Sequence, residues 1–460
     1  MATVVTAPAP VPPARPAPGD QRRRSGRRGP RYLAAVRGTP AIIQAMIAGI
    51  VILSLAWGGL GAWAVATHSS AATSLAYGNE PYSRDAQRMY LAVADADVTI
   101  TTSFLAQAQP VPPGQPPSSS LAARQRLTAD LASASQDLAD LMSGGGSTQL
   151  TQAAAAFDAD LAAYQGYVAT AETEYAQDVI PAGDSEMEVA SEEAHLGLLP
   201  EAKLIYNLQI AAVGTSRDQA TSLPTIVIAI VIGLAALVML VWAQRWMARR
   251  THRVLNLGLV IATAALVISI GWLAVTFGVA SSDLSTAIGQ GANPAEALAQ
   301  ASIDVQQIRG DSILNVIARS GSPSLQTDST AQAKNVGPGP GSLLGSASAA
   351  GNGSVTADLG PAITAAPAWY KANGQGYTLG SQHQYSAEMN SVTGTPVSSE
   401  YGQVTGSISG ALDAAQQTFT SQADDASSAF GPLEAVVIIA ALVMVVASAW
   451  GLARRLAEYR

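Results

Sequence analysis

Cysteine is absent from the 460-residue chain. Disulfides, thiolate metal sites and cysteine nucleophiles go with it, so any part outside the cytoplasm must hold itself by packing alone. Histidine occurs only at His68, His195, His252 and His383, too scattered for a metal-ligand spacing. No GxSxG, HExxH, Walker or dinucleotide pattern occurs. The GPGPG of 337–341 cannot cradle a phosphate, because proline removes the amides that would do so. Charge is sparse too: Asp, Glu, Lys and Arg make up 13% of the residues, about half the usual share. The net charge of −8 argues against nucleic acid as a partner. No catalytic, cofactor-binding or metal-ligating residue can be named from these patterns, and an enzyme is the least expected class.

Long apolar runs are what the chain does have. The stretches 41–66, 223–244, 254–280 and 433–452 are each long enough, at about 1.5 Å per helical residue, to cross a hydrocarbon core of about 30 Å. They carry no ionisable group at membrane depth, which disfavours a pump or ion pathway. Small residues recur four apart at Ala45/Gly49, Gly58/Ala62, Ala229/Gly233 and Ala447/Gly451, a spacing suited to close helix packing. Basic residues cluster in the short flanking segments. The tail 1–40 carries Arg22, Arg23, Arg24, Arg27 and Arg28, the loop 245–253 carries Arg249 and Arg250, and the tail 453–460 carries Arg454, Arg455 and Arg460. Short basic segments stay inside, so both termini are expected in the cytoplasm of a multi-pass plasma-membrane protein. The arginines of the tail and of the short loop are candidates for a lipid anchor or a cytoplasmic docking site. A cleaved signal peptide is the competing reading of 41–66, but its apolar run far exceeds the 7–15 residues of a signal core.

Two stretches are then left outside, 67–222 and 281–431. The first reads as a four-helix bundle. Apolar positions repeat with a coiled-coil-like 4-3 rhythm through Tyr90, Ala94, Asp97, Thr101 and Phe104, then through Leu127, Leu131, Ala134, Leu138 and Leu141, and then from Leu150 to Tyr175. Pro181 and Gly183 interrupt the rhythm, and a last helix is expected after Pro200. The second stretch shows seams through Leu298, Ala301, Val305, Ile308 and Ser312 and from Ile408 to Ala426. Its middle, 320–361, is rich in Gly, Ser and Pro and reads as a flexible loop. The fold class is thus all-α: four transmembrane helices with two extracytoplasmic helical-bundle modules. Ser70, Ser74, Ala76 and Gly78 recur as Ser281, Ser285, Ala287 and Gly289, and Ala92, Asp95, Ser103 and Leu105 as Ala301, Asp304, Ser312 and Leu314. With the repeated span–module–span layout, this points to a tandem duplication.

Candidate contacts for a partner or ligand are the acidic run Asp184, Glu186, Glu188, Glu192 and Glu193 and the segment Trp369, Tyr370 and Lys371. A solvated helix face is the competing account of the first, and bundle core that of the second. The triplet Arg309-Gly310-Asp311 reads as a chance helical sequence.

A helical bundle continuous with membrane helices is the layout of a transmembrane sensor, and the little that lies inside leaves the output to a separate protein. This whole-chain architecture resembles the GlnX-type four-span membrane signalling proteins of actinobacteria. The resemblance implies a non-enzymatic relay between an extracytoplasmic glutamate/glutamine-binding lipoprotein and a cytoplasmic serine/threonine protein kinase; it assigns no individual residue. An envelope scaffold, or an accessory subunit of an export or cell-wall complex, is the alternative, and a homo-oligomer fits either. Direct chemoreception would require a polar pocket between bundle helices.

Overall fold

The computed structural model describes residues 39–107, 120–177, 179–221, 224–251, 256–318 and 323–457. The sequence's Arg22, Arg23, Arg24, Arg27 and Arg28, the Pro-rich turn near 109–117 and the Arg250 side chain lie outside the described residues. Among the described residues every regular element is a helix. In chain order they are α1 (Thr39–Ser74), α2 (Glu80–Gln107), α3 (Ser120–Ser143), α4 (Thr148–Ala176), α5 (Ile180–Glu193), α6 (Leu199–Thr221) and α7 (Pro224–Thr251). Then follow α8 (Leu257–Thr286), α9 (Asn293–Ala318), α10 (Pro323–Val336), α11 (Leu343–Ala350), α12 (Gly353–Ser381), α13 (Tyr385–Thr393) and α14 (Thr395–Ala457). Three short π-helical segments join α1 to α2 (Leu75–Asn79), α5 to α6 (Ala194–Leu198) and α8 to α9 (Ala287–Ala292).

Among the described residues four helices are long and apolar enough to cross a membrane. These are Gln44–Ala71, Val227–Arg249, and the apolar parts of the helical runs Leu257–Ile317 and Tyr385–Arg454. They form a ring in which α1 packs on α7, α7 on α8, α8 on α14, and α14 back on α1. Its interior holds Trp57, Leu240, Leu266, Val437 and Met444, while Ile52, Val238, Val275, Ile439 and Val446 point outward. An apolar exterior of this kind belongs in lipid. Glycine sets the helix separations: a Cβ on Gly58 would lie 2.5 Å from the Ala441 Cβ, and one on Gly233 would lie 2.7 Å from the Trp57 ring. Small residues at span contacts replace the hydrophobic drive that lipid removes.

The first helical region is built from α2, α3, α4 and the continuous rod α5–π–α6. Every residue of the α2 seam (Tyr90, Ala94, Asp97, Thr101, Phe104) is buried, as is every residue of the α3 seam. In α4 the buried stripe runs Leu150, Ala154, Phe157, Leu161, Tyr164, Val168 and Ala171. The turn into α4 is made by Gly145 at φ 78°, and Ser147 caps the helix by accepting from the Leu150 amide at 3.1 Å. The expected break before Pro200 does not occur. Proline has no N–H to give, but the wider π turn just before it, closed by the Leu199 amide on the Ala194 carbonyl, carries the helix past.

The second region also corrects the sequence reading. The segment 320–361, expected as a Gly/Ser-rich loop, contains α10, α11 and the start of α12. Burial overrides composition here, because Val336, Leu344, Ala347 and Val355 insert into one core with Trp369 and Val404. Local caps fix the helix starts: Ser342 accepts from the Gly345 amide, and Asn352 accepts from the Ser354 and Val355 amides, both at 3.1 Å. Gly341, at φ 82°, supplies the left-handed turn between α10 and α11.

The two regions lie at the same end of the four-span ring and pack on each other. Helix α9 contacts α2 and α5, and its Ala299 and Ile303 belong to the core of the first region. Where the spans give way to the regions, Ala71, Leu284, Ile288, Phe419 and Ala426 form a separate buried layer.

Candidate functional site

The seam between the regions holds a line of three titratable side chains. Asp97 on α2, 2% exposed, occupies a core position. It accepts from the Ser191 hydroxyl at 3.2 Å and the Tyr164 hydroxyl at 3.4 Å. Burial pushes its carboxyl upward, and the nearby His195 ring, at 3.8 Å, pulls it partly back.

His195 sits in the π segment between α5 and α6, a type of irregularity that recurs at functional sites. Its Nδ1 lies 2.8 Å from the Ser191 carbonyl. A carbonyl only accepts, so Nδ1 carries a proton and donates it. The other nitrogen, Nε2, is turned toward the second region and has no hydrogen-bond partner. Asp311 Oδ1 on α9 is 4.0 Å away, beyond hydrogen-bond reach. The ring can come this close because position 310 is glycine: a Cβ there would stand 2.7 Å from Nε2.

Asp311 is 8% exposed. Burial pushes its carboxyl up to about 6; the Asp328 charge adds to the rise and His195 opposes it. It lines a cleft of ≈ 700 Å³ between the regions. The first region contributes Glu188, Glu192, His195 and Lys203, and the second contributes Asp311, Asp328, Gln307 and Gln332. Leu196, Leu199, Leu314 and Leu325 give it an apolar lining. This volume lies within the range of small-molecule sites. Among the described residues no group of three His, Cys, Asp or Glu side chains is placed to hold a metal ion.

The candidates named from sequence are divided by the structure. Of the acidic run, Glu188 and Glu192 face this cleft, exposed. Asp184 instead accepts from the Tyr175 hydroxyl, while Glu186 and Glu193 are half-buried. Trp369 is fully buried and stacks at 5.0 Å on Tyr370 and 5.5 Å on Tyr401, so it is core and not an outward contact. Tyr370 is half-buried beside it, and only Lys371 is exposed. Arg249 is exposed at the end of α7, far along the chain from the cleft residues.

Sequence reasoning passed over Asp97, His195, Gly310 and Asp311. One signal was available: Asp97 stands at a seam position among Tyr90, Ala94 and Phe104, where an apolar residue is the rule. The triplet 309–311 that reads as accidental is used in full. Arg309 is buried, donates to the Val392 carbonyl and lies 5.3 Å from the Tyr401 ring centroid; Gly310 admits His195; Asp311 faces the cleft.

Residues 71–218 match the family described as the actinobacterial sensor domain. No curated protein and no solved structure matches the chain. The matched stretch spans the first helical region, with Asp97, Tyr164, Ser191 and His195 inside it; Asp311 and the facing wall of the cleft lie beyond it.

Proposed function

We propose that the chain is a non-enzymatic transmembrane signal relay, in which an extracytoplasmic input shifts the spans and a cytoplasmic partner reads the shift. Similarity of its first region to a sensor domain supports a sensing role. The observation that carries the relay is helical continuity. Helix α14 runs unbroken from Thr395 in the second region to Ala457 past the last span, and α1 and α8 pass through π segments directly into α2 and α9. Displacement of the regions therefore has stiff levers into the membrane, and a coupling of about 1–3 kcal/mol suffices to regulate a partner.

In this reading both regions are extracytoplasmic modules and both termini are inside, which the arginine distribution supports. A tandem duplication accounts for the plan. The π segments at Leu75–Asn79 and Ala287–Ala292 follow spans one and three on the stretches where Ala76 and Gly78 correspond to Ala287 and Gly289. The input partner is a solute-binding lipoprotein and the output partner a serine/threonine kinase, as the architectural resemblance implies. Arg249 and Arg250 supply a basic inner surface for docking. Crosslinking of the tagged full-length protein in cells, followed by mass spectrometry, tests this. Recovery of a solute-binding protein and a kinase is the expected result. Recovery of export or cell-wall machinery alone overturns the relay and leaves a scaffold.

A further inference from the structure

The geometry points to the cleft between the regions as a binding site for a small organic cation, an alkylamine or diamine, held between Asp311 of the second region and Glu188 and Glu192 of the first. This deepens the sensing reading and rests on it for its biological sense, although the binding itself does not depend on a partner.

Three observations carry it. The first is an unmet acceptor. Asp311 is 8% exposed, accepts no hydrogen bond from the protein, and has the His195 ring beside it only at 4.0 Å. Buried carboxylates are normally hydrogen-bonded, and one without donors lacks a partner. Burial also pushes its carboxyl up to about 6, so the ionised form is disfavoured without a donor.

The second is the balance of the walls. Glu188 and Glu192 stand on one side, Asp311 and Asp328 on the other, with Lys203 the single permanent cation among the lining side chains. Acceptors outnumber donors elsewhere as well: Gln332 gives its amide N–H to Gln307 at 3.0 Å and leaves its own Oε1 without a donor. A ligand with several N–H donors and positive charge satisfies this set, and an anion does not.

The third is shape. The carboxylates stand on opposite walls and, among the described residues, no three converge on a metal-sized centre, while leucines line the cleft with them. An ammonium on an apolar chain suits that arrangement better than a bare divalent ion, which needs converging oxygens. A bound amine also ties α5 to α9, so occupancy fixes one region against the other.

The test uses the purified full-length chain in lipid nanodiscs, titrated calorimetrically with 1,4-diaminobutane and n-butylamine, with succinate and Ca²⁺ as controls. Saturable amine binding is expected, weakened at least tenfold by Asp311→Asn and less by Glu192→Gln, and unchanged by Lys371→Gln on the exposed face of α12. A melting curve for each variant shows that it is folded. Absence of saturable amine binding by the folded protein overturns the proposal. So does equal binding by Asp311→Asn, or protection by Ca²⁺ or succinate that the amines do not compete. Amine binding without recovery of relay partners in cells overturns the relay alone, and recovered partners without amine binding overturn this site alone.

Discussion

Replacing Asp311 by asparagine should stabilise the unliganded protein, and do so only above acidic pH. An aspartate held at about 6 in place of its ordinary 3.8 carries a cost when ionised in the folded state of about 3 kcal/mol, at about 1.4 kcal/mol per pH unit. That net figure already contains the attraction to His195. The side chain is 12% exposed at the cleft wall, and water there screens part of the cost, which leaves about 1–3 kcal/mol to be regained. The sign follows from proton linkage. Folded protein binds more protons at Asp311 than unfolded protein between about pH 4 and 6, so wild-type stability falls as pH rises through that window. Asparagine has no such term. The stability difference between variant and wild type should therefore be near zero at pH 4, grow through pH 6 and level off by pH 7.

The assay is thermal unfolding followed by circular dichroism in nanodiscs, at half-unit steps from pH 4 to 8 without amines. A gain of about 1–3 kcal/mol corresponds to a rise of several degrees in Tm, given about 2–4 °C per kcal/mol for a unit of 150–250 residues. A pH-independent difference would refute the assignment of the cost to Asp311. A variant less stable than wild type at pH 7.5 would show that the His195–Asp311 pair is a net stabilising bond, and would remove the unmet carboxylate on which the binding argument depends.

Gly310→Ala should cost about 1–3 kcal/mol, since its Cβ would be 2.7 Å from His195 Nε2 and the ring must leave its bond to the Ser191 carbonyl; the same melts measure it. Trp369→Ala should cost about 3–5 kcal/mol through an unfilled cavity in the second core, with recovery of partners unchanged in the fraction that folds. Gly58→Leu should push α1 from α14, where even a Cβ would lie 2.5 Å from Ala441; disulfide yield between cysteines engineered into the two spans should fall, and the cysteine-free background makes that readout clean. Single cysteines placed at Ser143 and Arg249 test the sidedness. A membrane-impermeant maleimide should label the first in intact cells and the second only after permeabilisation, and the reverse pattern would invert the topology.

The periodic parts of this fold were open to reading from the chain. A residue four or three positions from its neighbours faces the same side of a helix, which is why each seam position from Leu127 to Leu141 is buried. Spans were equally legible, because twenty apolar residues have few other fates. The 320–361 segment was not. Its Gly and Ser content lowers helix propensity, but Leu344, Ala347 and Val355 gain more by entering a core formed with residues about 60 positions away, and no local window contains that gain. The cleft was illegible for a related reason. Asp97 and His195 lie about 100 residues apart in the first region and Asp311 in the second, so the packing of α2 on the α5–α6 rod and the docking of α9 on both are needed to bring them together.

That docking also bears on how a signal would start. The three π segments sit at the two passages from span to region and at His195, the points where helices must change direction or admit a neighbour. A π turn holds an extra residue against the regular ladder, a departure that recurs at functional sites. The segment Ala194–Leu198 has His195 pressed on Gly310 on one side and Asp97 below it. Altering charge at Asp311 therefore acts beside the π segment of the α5–α6 rod. On the facing side α9 leads through Ala287–Ala292 back into α8. In the relay proposed above, a differential of about 1.4 kcal/mol between two arrangements of the cleft would change their ratio tenfold.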